Sequence, residues 1–117
     1  MALKSNILLL EDKTWKRKLS RNLYSFRKRG HTDDKITADQ VIDFYGGTIV
    51  KCGLTHDIID LTKDKYHLDH IVPVSKGGSS DICNLCILTP KANMIKGNLS
   101  LNELYIEIKK MINVKDS

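Results

Sequence analysis

The stretch His67-Leu-Asp-His70-Ile-Val-Pro73-Val-Ser75-Lys-Gly77-Gly78, followed by Asn84-Leu85 and Asn93-Met-Ile-Lys96, decides how this chain is read. It sets an acidic residue directly before a histidine, then a strand-like Ile-Val-Pro, a Gly-Gly turn, and two asparagines on either side of a short helical signal. Asp69 offers a hard carboxylate oxygen, Asn93 a neutral amide oxygen, and His70 a nitrogen that titrates near neutrality. Such groups suit metal-assisted hydrolysis of a phosphodiester. A divalent cation stabilises charge on the scissile phosphate while the histidine takes a proton from the attacking water. Adjacent strand residues face opposite sides, so Asp69 and His70 share one site only where the strand ends or twists, and Pro73 agrees with such an end.

Taken in order, Asp-His-Ile-x-Pro, Gly-Gly, Asn-Leu and Asn-x-x-Lys resemble the HNH nuclease motif, with fourteen residues from His70 to Asn84 and nine from Asn84 to Asn93. The resemblance implies an α+β fold. Its centre would be a ββα-metal core, a β-hairpin plus a short helix around one metal ion, flanked by an N-terminal basic helix and a C-terminal amphipathic helix. It further implies that His70 is the general base, that Asp69 and Asn93 bind the metal, and that Asn84 holds and orients the His70 ring through a backbone or amide contact. Lys96 would meet a phosphate as a point charge. His67 has no fixed role in the pattern and is read as a strand residue. The whole chain, 1–117, is read as a single domain with a helical basic part over 1–47, the ββα-metal core over 48–97 and a C-terminal helix over 98–117.

Two oxygen ligands, with the nitrogen base outside the coordination sphere, favour Mg²⁺ or Mn²⁺ at the site. Proteins of this family often carry a structural zinc on two Cys-x-x-Cys knuckles, and here both knuckles have lost ligands. Cys52 is preceded three residues earlier by Ile49, and the second knuckle would fall on Thr89 and Ala92. Free, buried thiols are therefore favoured over structural Zn²⁺. A rearranged zinc site from Cys52, Cys83, Cys86 and His56 is the alternative.

With 19 basic and 14 acidic residues the chain carries +5, which suits DNA as a polyanionic partner. Ile7 to Leu10 is too short an apolar run to span a bilayer, and Glu11, Asp12 and Lys13 follow it at once, unlike a signal peptide. The expectation is a cytoplasmic protein, in the host cell if phage-encoded. Small size and Lys-rich composition fit a phage or mobile-element origin.

From Lys13 to Arg29 the pattern is helical. Trp15, Leu19, Leu23 and Phe26 form an apolar stripe, and Gly30 serves as a C-terminal cap. The other faces hold Lys16, Arg17, Arg21, Arg27 and Lys28 within a block that has no acidic residue, and these are assigned to the phosphate backbone of DNA. The patch Ile7–Leu10 is expected to dock on the core, His31–Lys35 to connect, and Lys115–Ser117 to fray. Thr37-Ala-Asp-Gln40 reads as a capping box, 48–50 and 58–61 as extended segments, and 82–88 as a strand. Thr89-Pro90 starts a short helix with Asn93 one turn in. Ser100-Leu-Asn-Glu103 caps a last helix whose stripe Leu101, Leu104, Tyr105, Ile108, Met111 and Ile112 is expected to cover the hairpin, with a dimer surface as the alternative.

These expectations combine into a metal-dependent DNA endonuclease that nicks one strand per active site, as a monomer or a homodimer. The rival is a non-catalytic DNA-binding or accessory protein on the same scaffold.

Overall fold

The computed structural model describes the backbone of residues 2–30 and 35–116, and the side chains of 14–30 and 35–112. The packing of Ile7–Leu10, the connector at 31–34 and the ending at Ser117 lie outside the described residues. Helix α1 spans Ala2–Arg29. It thus begins well before Lys13, because Ala2, Leu3, Lys4 and Leu8–Leu10 are good helix formers that carry no clear period of their own. Its stripe is as read: Leu19, Leu23 and Phe26 are buried, and Trp15 packs against them at the edge of the core.

Gly30 ends α1 for a reason other than a left-handed cap. A Cβ there would fall 1.6 Å from Ser80 Oγ, so the missing side chain permits close approach of the helix end to the loop before β4. Helix α2 (Ala38–Tyr45) has the reciprocal Thr37–Gln40 capping box and stops at Gly46 in the left-handed region, φ 80°.

Two separate antiparallel hairpins follow, β1 (Ile49–Lys51) with β2 (Ile58–Asp60), and β3 (His67–His70) with β4 (Leu85–Leu88). In the second, Asp69 pairs with Cys86 and His70 with Leu85. All four residues of β4 are buried. Residues 82–84, expected to extend that strand, form a 3-10 turn instead. Helix α3 (Pro90–Lys96) carries Thr89 as its N-cap and proline at its start, as read.

Strand β3 alternates as a half-buried strand should: Leu68 and His70 point into the core, while His67 is exposed and Asp69 half-buried. One side of β3 meets α1 through the Phe26–His70 contact, and Asp69 on the other meets Lys96 of α3. That layering positions everything in the candidate site.

Helix α4 (Leu101–Asp116) starts with the reciprocal Ser100–Glu103 capping pair and is tied to the β3–β4 loop by a Lys76–Glu103 ion pair. It does not lie over the hairpin as expected. Only Leu104 is buried and Leu101 partly so, whereas Tyr105, Ile108, Met111 and Ile112 stand exposed. An amphipathic pattern fixes a helix's apolar face but not the direction in which the helix leaves its cap. The radius of gyration, 16.7 Å, exceeds the ~13 Å of a compact domain this long, in keeping with helices that reach beyond the core. No helix among the described residues is long and apolar enough to cross a membrane.

Candidate active site

Asp69 sits one residue before the end of β3, and both carboxylate oxygens are engaged. Oδ1 accepts the backbone N–H of His70 at 2.8 Å, and Oδ2 accepts Lys96 Nζ at 3.0 Å. Lys96 lies on the last turn of α3 and is only 1% exposed, with its ammonium against the carboxylate. A lysine expected to meet phosphate at the surface is thus paired inside the fold. Burial of an ammonium without a counter-charge costs several kcal/mol, and Asp69 supplies that charge. Asn93 lies three residues earlier on α3, so it shares a face with Lys96. Its side chain is half-buried and makes no hydrogen bond among the described residues.

His70 faces the opposite way. Its ring stacks on Phe26 with centroids 4.1 Å apart, Nε2 lies 2.8 Å from Ser80 Oγ, and the residue is 3% exposed. The Ser80 hydroxyl also reaches toward the Phe26 carbonyl oxygen at 3.5 Å. Burial, followed by the Arg29 guanidinium, lowers the His70 pKa against the opposing pull of Asp69, so the imidazole is neutral at neutral pH. Asp69 and His70 are adjacent in sequence yet the structure does not bring their side chains into one open pocket.

Asn84 closes the loop that follows β3. Its Oδ1 accepts Val72 N–H at 2.9 Å, while Nδ2 donates to the carbonyl oxygens of Val72 at 3.1 Å and Ser79 at 2.6 Å. Its backbone oxygen accepts Ile71 N–H at 2.9 Å. The amide therefore grips the backbone just beyond His70 and does not touch the ring. The Gly-Gly pair serves the same loop. Gly77 turns left-handed at φ 87°, and a Cβ on Gly78 would fall 1.7 Å from the Val72 oxygen.

Arg17, Arg21 and Lys28 are exposed on α1, whereas Lys16 pairs with Asp39 at 2.6 Å and Arg27 is half-buried beside the Tyr24 ring. Arg29, the last residue of α1, donates to the Leu68 carbonyl oxygen at 2.7 Å and so ties α1 to β3. Phe26 and Ser80, the immediate neighbours of His70, also escaped that reading. Phe26 was visible only as part of an apolar stripe, and Ser80 only as a loop residue.

The three cysteines are free thiols, Cys52 and Cys86 buried and Cys83 exposed, the last contrary to the expectation of burial. Burial works to raise the Cys52 thiol, but the Thr55 hydroxyl and the backbone N–H groups of Thr55, Thr89 and Leu54 outweigh it and hold its pKa at about 7. Cys52 Sγ lies 4.0 Å from the Thr89 hydroxyl, so two positions at which zinc knuckles would stand do face each other. Among the described residues, no three His, Cys, Asp or Glu side chains gather as a metal-binding group.

A hairpin with a short helix folded against it, carrying Asp-His at the end of its first strand and asparagine on the helix, has the ββα architecture. Residues 52–100 of this protein match the HNH endonuclease family. It is by class an endonuclease, a phosphodiester hydrolase, of a family that generally uses a divalent metal. No curated protein and no solved structure matches the chain.

Proposed function

We propose that the protein is a metal-dependent DNA endonuclease that cuts one strand per active site. The observation that carries this reading is the pairing of Asp69 with α3, on the helix face that also presents Asn93. The Asp69 carboxylate and the Asn93 amide oxygen would hold a divalent ion of the Mg²⁺ or Mn²⁺ kind. Two protein oxygens suit such an ion, which keeps several waters or substrate oxygens in its shell. When bound, the ion would stabilise charge on the scissile phosphate and the leaving oxygen.

The remaining work falls to the chain. His70, neutral because it is buried, is in the protonation state a general base needs. Acceptance of a proton at Nε2 requires the Ser80 hydroxyl to give way to water, because that hydroxyl now holds the nitrogen. Asn84 acts on His70 through the backbone by fixing the chain that leaves β3. Arg17, Arg21 and Lys28 on the outer face of α1 neutralise DNA phosphates, which gives sequence-independent, salt-sensitive binding.

Supercoiled plasmid incubated with the parent protein and with His70→Ala, each with Mg²⁺, Mn²⁺ or chelator, tests this. Metal-dependent open circles from the parent alone are expected, and linear product would require two sites acting together. Folding of the variant is checked by circular dichroism, since His70 is buried. A folded His70→Ala protein that cleaves at the parent rate overturns His70 as base. Retardation of DNA without cleavage by either protein favours the non-catalytic reading, for which the enclosure of His70 is the supporting observation.

A further inference from the structure

Lys96 is the most enclosed of the charged side chains described, and its ammonium is held by Asp69 Oδ2 at 3.0 Å. The other oxygen of the same carboxylate takes the His70 N–H. Directly across the ladder stands Cys86, a buried free thiol. The carboxylate assigned above to the metal is thus already neutralised by a cation of the chain itself.

We propose that Lys96 is a resident counter-ion, which occupies Asp69 in the metal-free protein and competes with a divalent ion for that carboxylate. This rests on Asp69 being a metal ligand. The physical basis is the sign and closeness of the charges: a unit positive charge a few ångströms from a bound cation opposes it, most strongly where little water intervenes. The same closeness makes the pair a structural asset without metal, because removal of one member of a buried pair leaves the other without compensation. Lys96 therefore supports the fold without metal at the expense of metal affinity. Binding of the ion lengthens or breaks the Asp69–Lys96 bond.

The test compares the full-length parent with Lys96→Met and Lys96→Gln by calorimetric titration with Mn²⁺, and by thermal unfolding with and without Mg²⁺. Asp69→Asn in each background reports whether the ion binds at this carboxylate. Both neutral variants are expected to bind Mn²⁺ about tenfold more tightly than the parent or better. They should melt lower without metal, and Mg²⁺ should raise their Tm by more than it raises the parent's. Equal or weaker Mn²⁺ binding by the neutral variants, still abolished by Asp69→Asn, overturns the competition and makes Lys96 a supporting residue of the metal site. Binding indifferent to Asp69→Asn in every background refutes Asp69 as ligand, and the competition falls with it. If neither neutral variant folds, NMR of the Lys96 side-chain ammonium in the parent decides. A resonance that moves along the Mg²⁺ binding curve supports displacement, and one unmoved at saturation overturns it.

Discussion

The imidazole of His70 and the phenyl ring of Phe26 lie face to face, 4.1 Å between centroids and 16° from parallel. The residue most closely tied to the proposed chemistry is therefore also part of the contact by which α1 joins β3. Phe26→Ala removes a fully buried ring and should cost about 3–5 kcal/mol of stability, with Phe26→Leu much milder. Urea unfolding measures the cost. In whatever fraction of Phe26→Ala stays folded, NMR titration should find the His70 pKa moved up toward its ordinary value as the ring gains water.

The pH dependence follows from the same burial. Burial and then Arg29 depress the folded His70 pKa, so the unfolded chain binds that proton more readily. The resulting stability is complete above the unfolded value of about 6.5 and is lost as pH falls from there through the folded pKa. His70→Gln should flatten the fall in urea midpoint over that acid range. The base also remains neutral below about 6.5, so the acid limb of kcat/KM should lie below that pH. A limb centred above it counts against His70 as the base.

Arg17→Gln and Arg21→Gln should weaken DNA binding by similar factors on unrelated sequences. Each lost phosphate contact lowers the slope of log affinity against log salt by about 0.9 for duplex DNA. Lys16→Gln should change that slope less, because its ammonium is engaged with Asp39. Filter binding at several salt concentrations separates the three.

Asn84→Asp should be more damaging than its size suggests. The new carboxylate has no donor to offer the Val72 and Ser79 carbonyl oxygens, which the amide now satisfies. A loss of about 1–3 kcal/mol in chemical unfolding is expected, together with faster hydrogen exchange at Val72.

Helix α4 provides a contrast within one element. Leu104→Ala should cost about 2–5 kcal/mol, as for other buried leucines, whereas Met111→Ala should stay within about 0.5 kcal/mol in the monomer. Dilution-dependent melting that Met111→Ala abolishes would instead reveal a second copy against the exposed stripe.

Much of this architecture is written in local sequence. Thr37–Gln40, Thr89–Pro90 and Ser100–Glu103 announce helix starts because a cap involves only neighbours, and the α1 stripe announces its buried face by period alone. The Gly-Gly turn is legible for the same reason, Gly77 standing in the left-handed region. The burial of Lys96 is not legible locally, because it depends on a carboxylate 27 residues away. The enclosure of His70 depends on where α1 docks, which no local pattern records. The course of α4 was misread because amphipathicity is equally satisfied by a core, a partner or open water.

The close approach of Gly30 to Ser80 also constrains the order in which this sequence can change. Any side chain at position 30 meets both the Oγ and the Cβ of Ser80, at 1.6 and 2.7 Å. Ser80→Gly would clear both atoms but forfeit the hydrogen bond to His70. Gly30→Ala is therefore blocked in the parent background and becomes admissible only after position 80 has shrunk. The two sites are epistatic, and a mutational scan that changes one residue at a time will record position 30 as intolerant while missing the path that opens it.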